Sequence, residues 1–299
     1  MTEYKNFIRA SALEAGFSRA RILSPFEPTA KSLLLCALPY GNRHDDVPPQ
    51  DETGYGVIAP FARFNYYREA VKRLKNLSHL VRSCYGGEKC DYRIFCNSRL
   101  PEKSLAAASG LGAPGRNGLI ISPEAGSLFV IAAMILPVPL ETDPPLGGTT
   151  EDFPLCARCG TTPPCAAACP TGAALGNGLI NRAKCIQWYA SGHSTASGIP
   201  RTVLAAWGNR LYGCSDCQDA CVHNARPIQG VETGEGRIPA FINARRLLSL
   251  DNAEIKDMFR GTAMGLSWLG PAAIRRNAEA VIKNAASAVL SAKNTQHTG

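Results

Sequence analysis

Eight of the twelve cysteines of this chain lie between residues 156 and 221, in two runs with short gaps. The first run is CARCGTTPPCAAACP over residues 156–170, with the pattern Cys-x2-Cys-x5-Cys-x3-Cys-Pro. The second is CSDCQDAC over residues 214–221, with the pattern Cys-x2-Cys-x3-Cys, and a single cysteine at position 185 lies between them. The spacing therefore gives two sets of four thiols that the fold must gather.

Thiols at these spacings are typical ligands of iron–sulfur clusters. A four-iron cluster needs four converging soft thiolates, and two-residue gaps let successive cysteines cover one face of it. Bacterial double-cluster runs have a shorter middle spacer, and their fourth cysteine binds the other cluster. We therefore predict a bacterial-ferredoxin-like domain with two crossed [4Fe-4S] clusters. One is predicted on Cys156, Cys159, Cys165 and Cys221, and the other on Cys169, Cys185, Cys214 and Cys217.

Zinc is the main alternative, because paired Cys-x2-Cys units with a long separation also suit structural zinc sites. The Cys169-Pro-Thr-Gly turn has no use in a zinc ribbon, and this favours iron. Disulfides are disfavoured, because the sequence begins without a signal-peptide pattern and clustered cysteines in cytosolic proteins usually serve metals or redox chemistry. The isolated Cys36, Cys84 and Cys90 are predicted to be dispensable for the clusters.

The composition, with 45% hydrophobic and 19% charged residues, is that of an ordinary globular protein. The longest apolar run, Leu128–Leu136, is too short to cross a membrane, so we expect a cytoplasmic protein without a membrane partner. The net charge of +8 permits a nucleic-acid partner without requiring one. Basic residues cluster at Arg68, Lys72, Arg73 and Lys75, although a solvated helix face explains such a cluster equally well.

Apolar periodicity predicts a mixed α/β fold. Helices are predicted at 2–15, 61–82, 101–109, 182–190, 201–210, 253–260 and 271–290, and buried strands at 32–38, 91–96, 118–122 and 127–136. An exposed loop is predicted at 41–56, and Pro144–Thr150 marks a boundary. The predicted division is an α/β domain at 1–148, a cluster domain at 149–225 and a C-terminal helical segment at 226–299.

The stretch Gly110–Gly115 matches the dinucleotide pattern G-x-G-x-x-G. That fingerprint requires a strand before it and a helix after it, whereas here a helix precedes and a strand follows. We therefore reject a dinucleotide site. A loop whose backbone approaches a large, flat cofactor is the better interpretation.

Several further segments carry a resemblance to a known family. They are Leu38-Pro-Tyr40, Phe61-Ala-Arg63 leading to Tyr66-Tyr67, Gly110–Asn117, Cys169–Ala173, Gly213–Gln218, Phe259-Arg-Gly261 and Arg275–Ala278. With these motifs the chain resembles a divergent member of the epoxyqueuosine reductases. These are cobalamin and iron–sulfur enzymes that complete the tRNA wobble nucleoside queuosine, and they are related to reductive dehalogenases.

The resemblance implies a nitroreductase-like, corrinoid-binding N-terminal domain that holds base-off cobalamin beside one cluster. It implies an oxidoreductase that removes an epoxide oxygen with electrons delivered singly and a proton from a side chain. The implied partners are tRNA and an electron donor such as flavodoxin or ferredoxin. The cofactor-side residues implied are Arg63, Gly112, Gly115, Arg116 and Asn117.

The chain departs from the family at the expected proton donor. The family stretch is roughly Val-Asp-Ser-Ala-Pro-Val-Leu-Glu, and alignment on Glu102 puts Cys96 at the aspartate, or Asn97 after a shift of one residue. A thiol can donate a proton and an asparagine cannot, so Cys96 is the predicted catalytic residue. Alternatively, Cys96 is a small apolar residue that ends a strand. The rival functions are a non-catalytic iron–sulfur electron-transfer or corrinoid-reducing protein, or a reductase of another substrate.

Overall fold

The structure is a computed structural model. It describes residues 2–24, 32–41, 49, 54–147, 153–193, 198–226, 228–231 and 237–296, with side chains up to residue 287. Most of the predicted 41–56 loop and part of the predicted 144–150 boundary therefore lie outside the described residues.

The first half of the chain alternates helices and strands. Its elements are α1 (Thr2–Glu14), β1 (Arg19–Leu23), β2 (Ser32–Pro39), β3 (Tyr55–Ile58), α2 (Tyr66–Tyr85), β4 (Ile94–Cys96), α3 (Glu102–Ala108), β5 (Ala113–Pro114), β6 (Ile120–Ile121) and β7 (Phe129–Leu136). In the part that the structure describes, β1, β2, β7 and β4 form an antiparallel sheet in that order.

The centre of this sheet is the pair of long apolar strands β2 and β7. Every residue of β2 is buried, and β7 pairs with it from Ser32 opposite Leu136 to Pro39 opposite Phe129. An apolar run without alternation is what a strand covered on both faces requires. The helix α2 packs against β7 and β4. The buried strands predicted at 32–38 and 127–136 are confirmed as β2 and β7.

The helix α2 begins later than predicted. Residues Pro60–Ala62 form a separate 3-10 turn, and the side chain of Asn65 then caps α2 by accepting a hydrogen bond from the Arg68 backbone N–H (3.1 Å). The predicted start at residue 61 is therefore wrong. Leu74, Leu77 and Val81 of α2 enter the core, whereas Tyr67, at helical spacing from them, borders a cavity.

The second half consists of short elements followed by one long helix. They are α4 (Pro164–Ala167), α5 (Ile186–Ala190), α6 (Arg201–Ala205), β8 (Arg210–Tyr212), α7 (Asp216–Asp219), β9 (Phe241–Asn243), α8 (Ala244–Ser249), α9 (Asn252–Met258) and α10 (Pro271–Gln296). The predicted end of the 201–210 helix is wrong, because α6 ends at Ala205 and the chain then turns at Gly208 and enters β8. Among the described helices, none is long and apolar enough to cross a membrane.

A second sheet joins the predicted N-terminal domain, cluster domain and C-terminal segment. Within the described residues, β3 pairs in parallel with β8 and antiparallel with β9, giving the order β8-β3-β9. The sequence did not predict β3, β8 or β9 as strands, because strands of three or four residues carry too little periodicity. This sheet ties the N-terminal segment to both later segments.

Candidate cluster sites and cofactor cleft

The first predicted thiol set comes together from three short elements. Cys156 and Cys159 lie in a 3-10 turn that follows Phe153, Cys165 lies in α4, and Cys221 follows α7. Burial raises the pKa of the Cys156 thiol, and the neighbouring Cys159, Cys221 and Cys165 raise it further. Burial, followed by the nearby Cys221, raises the pKa of the Cys165 thiol in the same way. Such mutual influence means that these four sulfurs lie close to one another.

The second set gathers around Cys217. Burial, followed by the nearby thiols of Cys214, Cys169 and Cys185, raises the pKa of Cys217 to about 12. Cys165 of the first set also acts on Cys217, so the two sets adjoin. The structure thus groups the eight cysteines in the crossed combination.

Cys169 is held differently from the other thiols. Burial would raise its pKa, but hydrogen bonds from the backbone of Ala174, from Thr171 and from the backbone of Ala173 outweigh burial and lower it. The N–H groups of Ala173 and Ala174 lie 3.2 Å and 3.4 Å from its sulfur. Donors of this kind stabilise a thiolate, which is the state that ligates metal.

A buried polar network docks the cluster segment on the N-terminal sheet. The side-chain amide of Gln218, next to Cys217, donates to the Tyr40 hydroxyl (2.7 Å) and to the Ser127 carbonyl (2.9 Å). The Asn224 amide donates to the Ser127 hydroxyl (2.9 Å). This network holds the second thiol set against the end of β2.

The glycine loop packs on its own hairpin and on the cluster segment. A Cβ at Gly112 would lie 2.4 Å from Ile120, and one at Gly115 would lie 2.7 Å from Asn117 and Ile121. The Arg116 guanidinium donates a hydrogen bond to the carbonyl of Gly160. Gly160 follows Cys159 in the first cysteine run. The predicted flanks are confirmed, because α3 leads into the loop and the β5–β6 hairpin follows.

Two cavities meet at a shared wall, and together we call them the cleft. The larger one, of about 570 Å³, is bordered by Cys96, by α2 and by the segment before α10. The smaller one, of about 270 Å³, is bordered by Phe61, Tyr212, Gln187 and His193. The side chains common to both are Tyr67, Asn97, Leu266 and Trp268. Of the predicted cofactor-side residues, none is among the lining residues of these cavities, and Arg63 is buried.

Cys96 ends β4 at the wall of the larger cavity. Its thiol donates a hydrogen bond to the Ile131 carbonyl of β7 (3.3 Å). Burial, assisted by the carboxylate of Glu102, raises its pKa to about 12, so it is a protonated thiol at neutral pH. Asn97 follows in the left-handed region (φ 51°), which turns the chain into the cleft. The next loop is held by Glu102, which accepts from the Ser98 backbone N–H (2.9 Å).

The smaller cavity is bordered by two residues close in sequence to cysteines of the second thiol set. Gln187 lies two residues after Cys185, and Tyr212 lies two residues before Cys214. The Gln187 amide donates to the Ser191 hydroxyl (2.8 Å), while its buried Oε1 has no hydrogen-bond partner among the described residues. An unpaired buried acceptor is costly and suits a ligand with an N–H donor.

Comparison with known proteins agrees with this geometry. Residues 155–224 match the family model described as a 4Fe-4S double cluster binding domain. The epoxyqueuosine reductase of Staphylococcus aureus is 30% identical over 282 residues, which cover 90% of this chain and 69% of that protein. The chain belongs to the epoxyqueuosine reductase family.

Other members of the epoxyqueuosine reductase family match over less of their length. The enzymes of Bacillus subtilis and Pseudomonas aeruginosa are each 31% identical, and the matches span 62% and 61% of those proteins. The solved B. subtilis epoxyqueuosine reductase, described with its aspartate catalytic loop swung out of the active site, has a TM-score of 0.78 at 26% identity, covering 95% of this chain and 82% of that one.

A further epoxyqueuosine reductase structure contains an epoxyqueuosine-modified tRNA-Tyr stem loop. It has a TM-score of 0.78 at 26% identity, with the same coverage of 95% and 82%. The predicted family, its class of oxidoreductase in tRNA queuosine modification, and the mixed fold with a double-cluster domain are thereby confirmed.

Sequence analysis missed two residues of the cleft in this epoxyqueuosine reductase family member. Gln187 and Trp268 border it, although neither belongs to a motif that carried the resemblance. Tyr67 belongs to such a motif, but its helical spacing with the core residues of α2 concealed its place at the cleft. The proximity of Gln187 to Cys185 was the one signal available.

Proposed function

We propose that this protein reduces epoxyqueuosine in tRNA, using two [4Fe-4S] clusters and cobalamin. The observation that carries the proposal is that the cleft reaches the segments bearing the second thiol set, because Gln187 lies two residues after Cys185 and Tyr212 two residues before Cys214. A cluster on that set would lie next to a redox cofactor in the cleft. Short distances of this kind are what single-electron delivery requires.

The walls of the cleft suit a corrinoid. Aromatic side chains, including Phe61, Tyr67 and Tyr212, supply apolar surface, and the amides of Asn97 and Gln187 supply polar contacts. The unpaired Oε1 of Gln187 fits one of the amide N–H donors on the rim of a corrin ring. Bound cobalamin would supply a reduced cobalt centre as the reductant. Arg63, Gly112, Gly115, Arg116 and Asn117 do not line the cleft, and they stay cofactor-side predictions that rest on the family resemblance.

The chain itself would contribute electrons through its clusters and a proton at Cys96. Removal of an epoxide oxygen to leave an alkene consumes two electrons and two protons and releases water. Cys96 keeps its proton at neutral pH and borders the larger cavity. We propose that its thiol gives one proton to the departing oxygen, and that the Asn97 turn and the Glu102–Ser98 contact keep the sulfur at the cavity wall.

The proposed partners are a tRNA and a small electron donor of the flavodoxin or ferredoxin class, and we propose that the protein acts in the cytoplasm. The stem loop bound in the related structure supports tRNA as substrate.

The test is anaerobic reconstitution with iron, sulfide and cobalamin, followed by reaction with an epoxyqueuosine-containing stem-loop RNA and a chemical reductant. Nucleoside digestion and mass spectrometry should show loss of one oxygen mass from the modified nucleoside. A matched sample without cobalamin should show none. If the fully loaded protein binds both cofactors and leaves epoxyqueuosine intact, the electron-transfer function replaces this proposal.

A further inference from the structure

Three cations of α2 form a row along the larger cavity. Arg68, Lys72 and Lys75 are exposed and all border it. Their spacings of four and three residues put them on one face of the helix. With a rise of 1.5 Å per residue, the row extends for roughly 10 Å.

Among the described residues, no acidic side chain pairs with the row. Elsewhere on the same helix, Glu69 pairs with Arg73 at 2.7 Å. None of Arg68, Lys72 and Lys75 forms an ion pair with a described residue, and the cavity lining contains no Asp or Glu. Three adjacent cations repel one another, so a polyanion that binds along them gains attraction and relieves that repulsion.

An exposed aromatic side chain stands opposite the row. The Trp268 side chain is 42% exposed and borders the same cavity. Its ring meets that of Tyr67 edge to face, with centroids 6.2 Å apart, which holds the indole in place. A fixed, exposed indole next to cations is the arrangement on which unpaired bases stack while the backbone meets positive charge.

We propose that the row of Arg68, Lys72 and Lys75 binds the phosphates of a single-stranded RNA segment, while Trp268 stacks on one of its bases. This rests on the proposed function and names the surface that holds its substrate class. A row of roughly 10 Å exceeds what one phosphodiester needs, which favours a polynucleotide over the single phosphate of a small cofactor. The RNA would then lead its target nucleoside to Cys96 at the same cavity wall.

The test measures binding separately from turnover. A fluorescent anticodon stem-loop RNA with guanosine at the wobble position is titrated with the cluster-loaded protein, and anisotropy gives the Kd. The combined variant Arg68→Gln, Lys72→Gln, Lys75→Gln should weaken binding about tenfold or more, and the slope of log K against log salt should fall by about 2 units. The side chains are exposed, and iron content and circular dichroism should stay unchanged.

A control with the same charge change separates a local site from the general field. It combines Arg246→Gln, Lys256→Gln and Lys283→Gln, three exposed positions outside the cavity. This control should lose clearly less affinity than the row variant. Equal losses, no loss in the row variant, or no RNA binding by the unmodified protein would each overturn the proposal.

Two further measurements distinguish RNA from cobalamin as the ligand of the row. Trp268→Leu should weaken RNA binding several-fold without changing the salt slope, because stacking is not ionic. Cobalamin affinity, followed by its visible spectrum, should be the same in the row variant and the unmodified protein. A row variant that loses cobalamin while binding RNA normally would show that the row serves the cofactor's phosphate. Failure of turnover with normal RNA binding would sink only the proposed function.

Discussion

The side-chain amide of Gln218 donates a 2.7 Å hydrogen bond to the hydroxyl of Tyr40, which lies 178 residues earlier in the chain. Gln218 follows Cys217 of the second thiol set, and Tyr40 directly follows β2 of the N-terminal sheet. Both side chains are buried, so the bond forms away from water. It couples the position of a cluster ligand to the sheet that carries the cleft.

Loss of this contact should destabilise the protein. Gln218→Leu removes the donor that the Tyr40 hydroxyl and the Ser127 carbonyl share and leaves only the 3.2 Å bond between those two groups, and each lost hydrogen bond costs about 0.5–1.5 kcal/mol. Denaturant unfolding of the cluster-loaded protein should show this loss. Tyr40→Phe removes one acceptor while Ser127 keeps its donor, so it should cost less. Equal stability of Gln218→Leu and the unmodified protein would show that the network contributes nothing.

Iron content should follow the two thiol sets. Anaerobically purified protein should contain about eight irons per chain, the number for two four-iron clusters. Cys217→Ser should remove about half of this iron, because the set around it is incomplete without its sulfur. The exposed Cys84 and Cys90 serve as controls, and their serine variants should retain full iron. Zinc in place of iron would refute the assignment.

Turnover should depend on an acidic group at position 96. Cys96→Ala should abolish reduction of epoxyqueuosine RNA while iron content and cobalamin binding persist, because the cavity loses its proton source. Cys96→Asp restores the carboxylic acid of the family's stretch and should be active. A fully active alanine variant would mean that the proton comes from water or another side chain.

The Cys96 thiol should resist alkylation at pH 8. Its pKa of about 12 lies above the unperturbed range near 8.5, so the reactive thiolate is suppressed until the pH rises towards 12. Iodoacetamide and peptide mass spectrometry should find Cys84 and Cys90 modified first, because both are exposed. The raised pKa also means that the folded state binds the extra proton between about pH 8.5 and 12, so this contribution to stability falls as the pH rises through that window. Modification of Cys96 as fast as Cys84 would contradict the burial.

Cobalamin affinity should fall when Gln187 loses its amide. Gln187→Leu removes the buried Oε1 acceptor at similar volume, and a lost hydrogen bond of about 1.4 kcal/mol corresponds to tenfold weaker binding. Equilibrium titration by visible spectroscopy measures the change. Ser191→Ala is the matched control, because it removes the partner of the amide N–H and keeps Oε1. Unchanged affinity in Gln187→Leu would place the corrinoid away from this side chain.

Much of the cluster segment could be predicted from spacing alone. Cys156 and Cys159 are three residues apart in one turn, so the chain between them fixes how their sulfurs converge. The flanks of the glycine loop were predictable for the same reason, since α3 and the β5–β6 hairpin are local structures. Apolar runs likewise predicted β2 and β7, because a strand covered on both faces needs no polar position.

The cleft, in contrast, exists only in the tertiary structure. Its walls come from Tyr67, Cys96, Gln187 and Trp268, which lie on separate segments that no local pattern connects. No pattern in the sequence predicts the raised pKa of Cys96, which comes from its burial beside β7 and from Glu102. Local spacing determines which thiols can share a cluster, whereas the cavity between distant segments depends on the sheet pairings and buried hydrogen bonds that set how those segments pack.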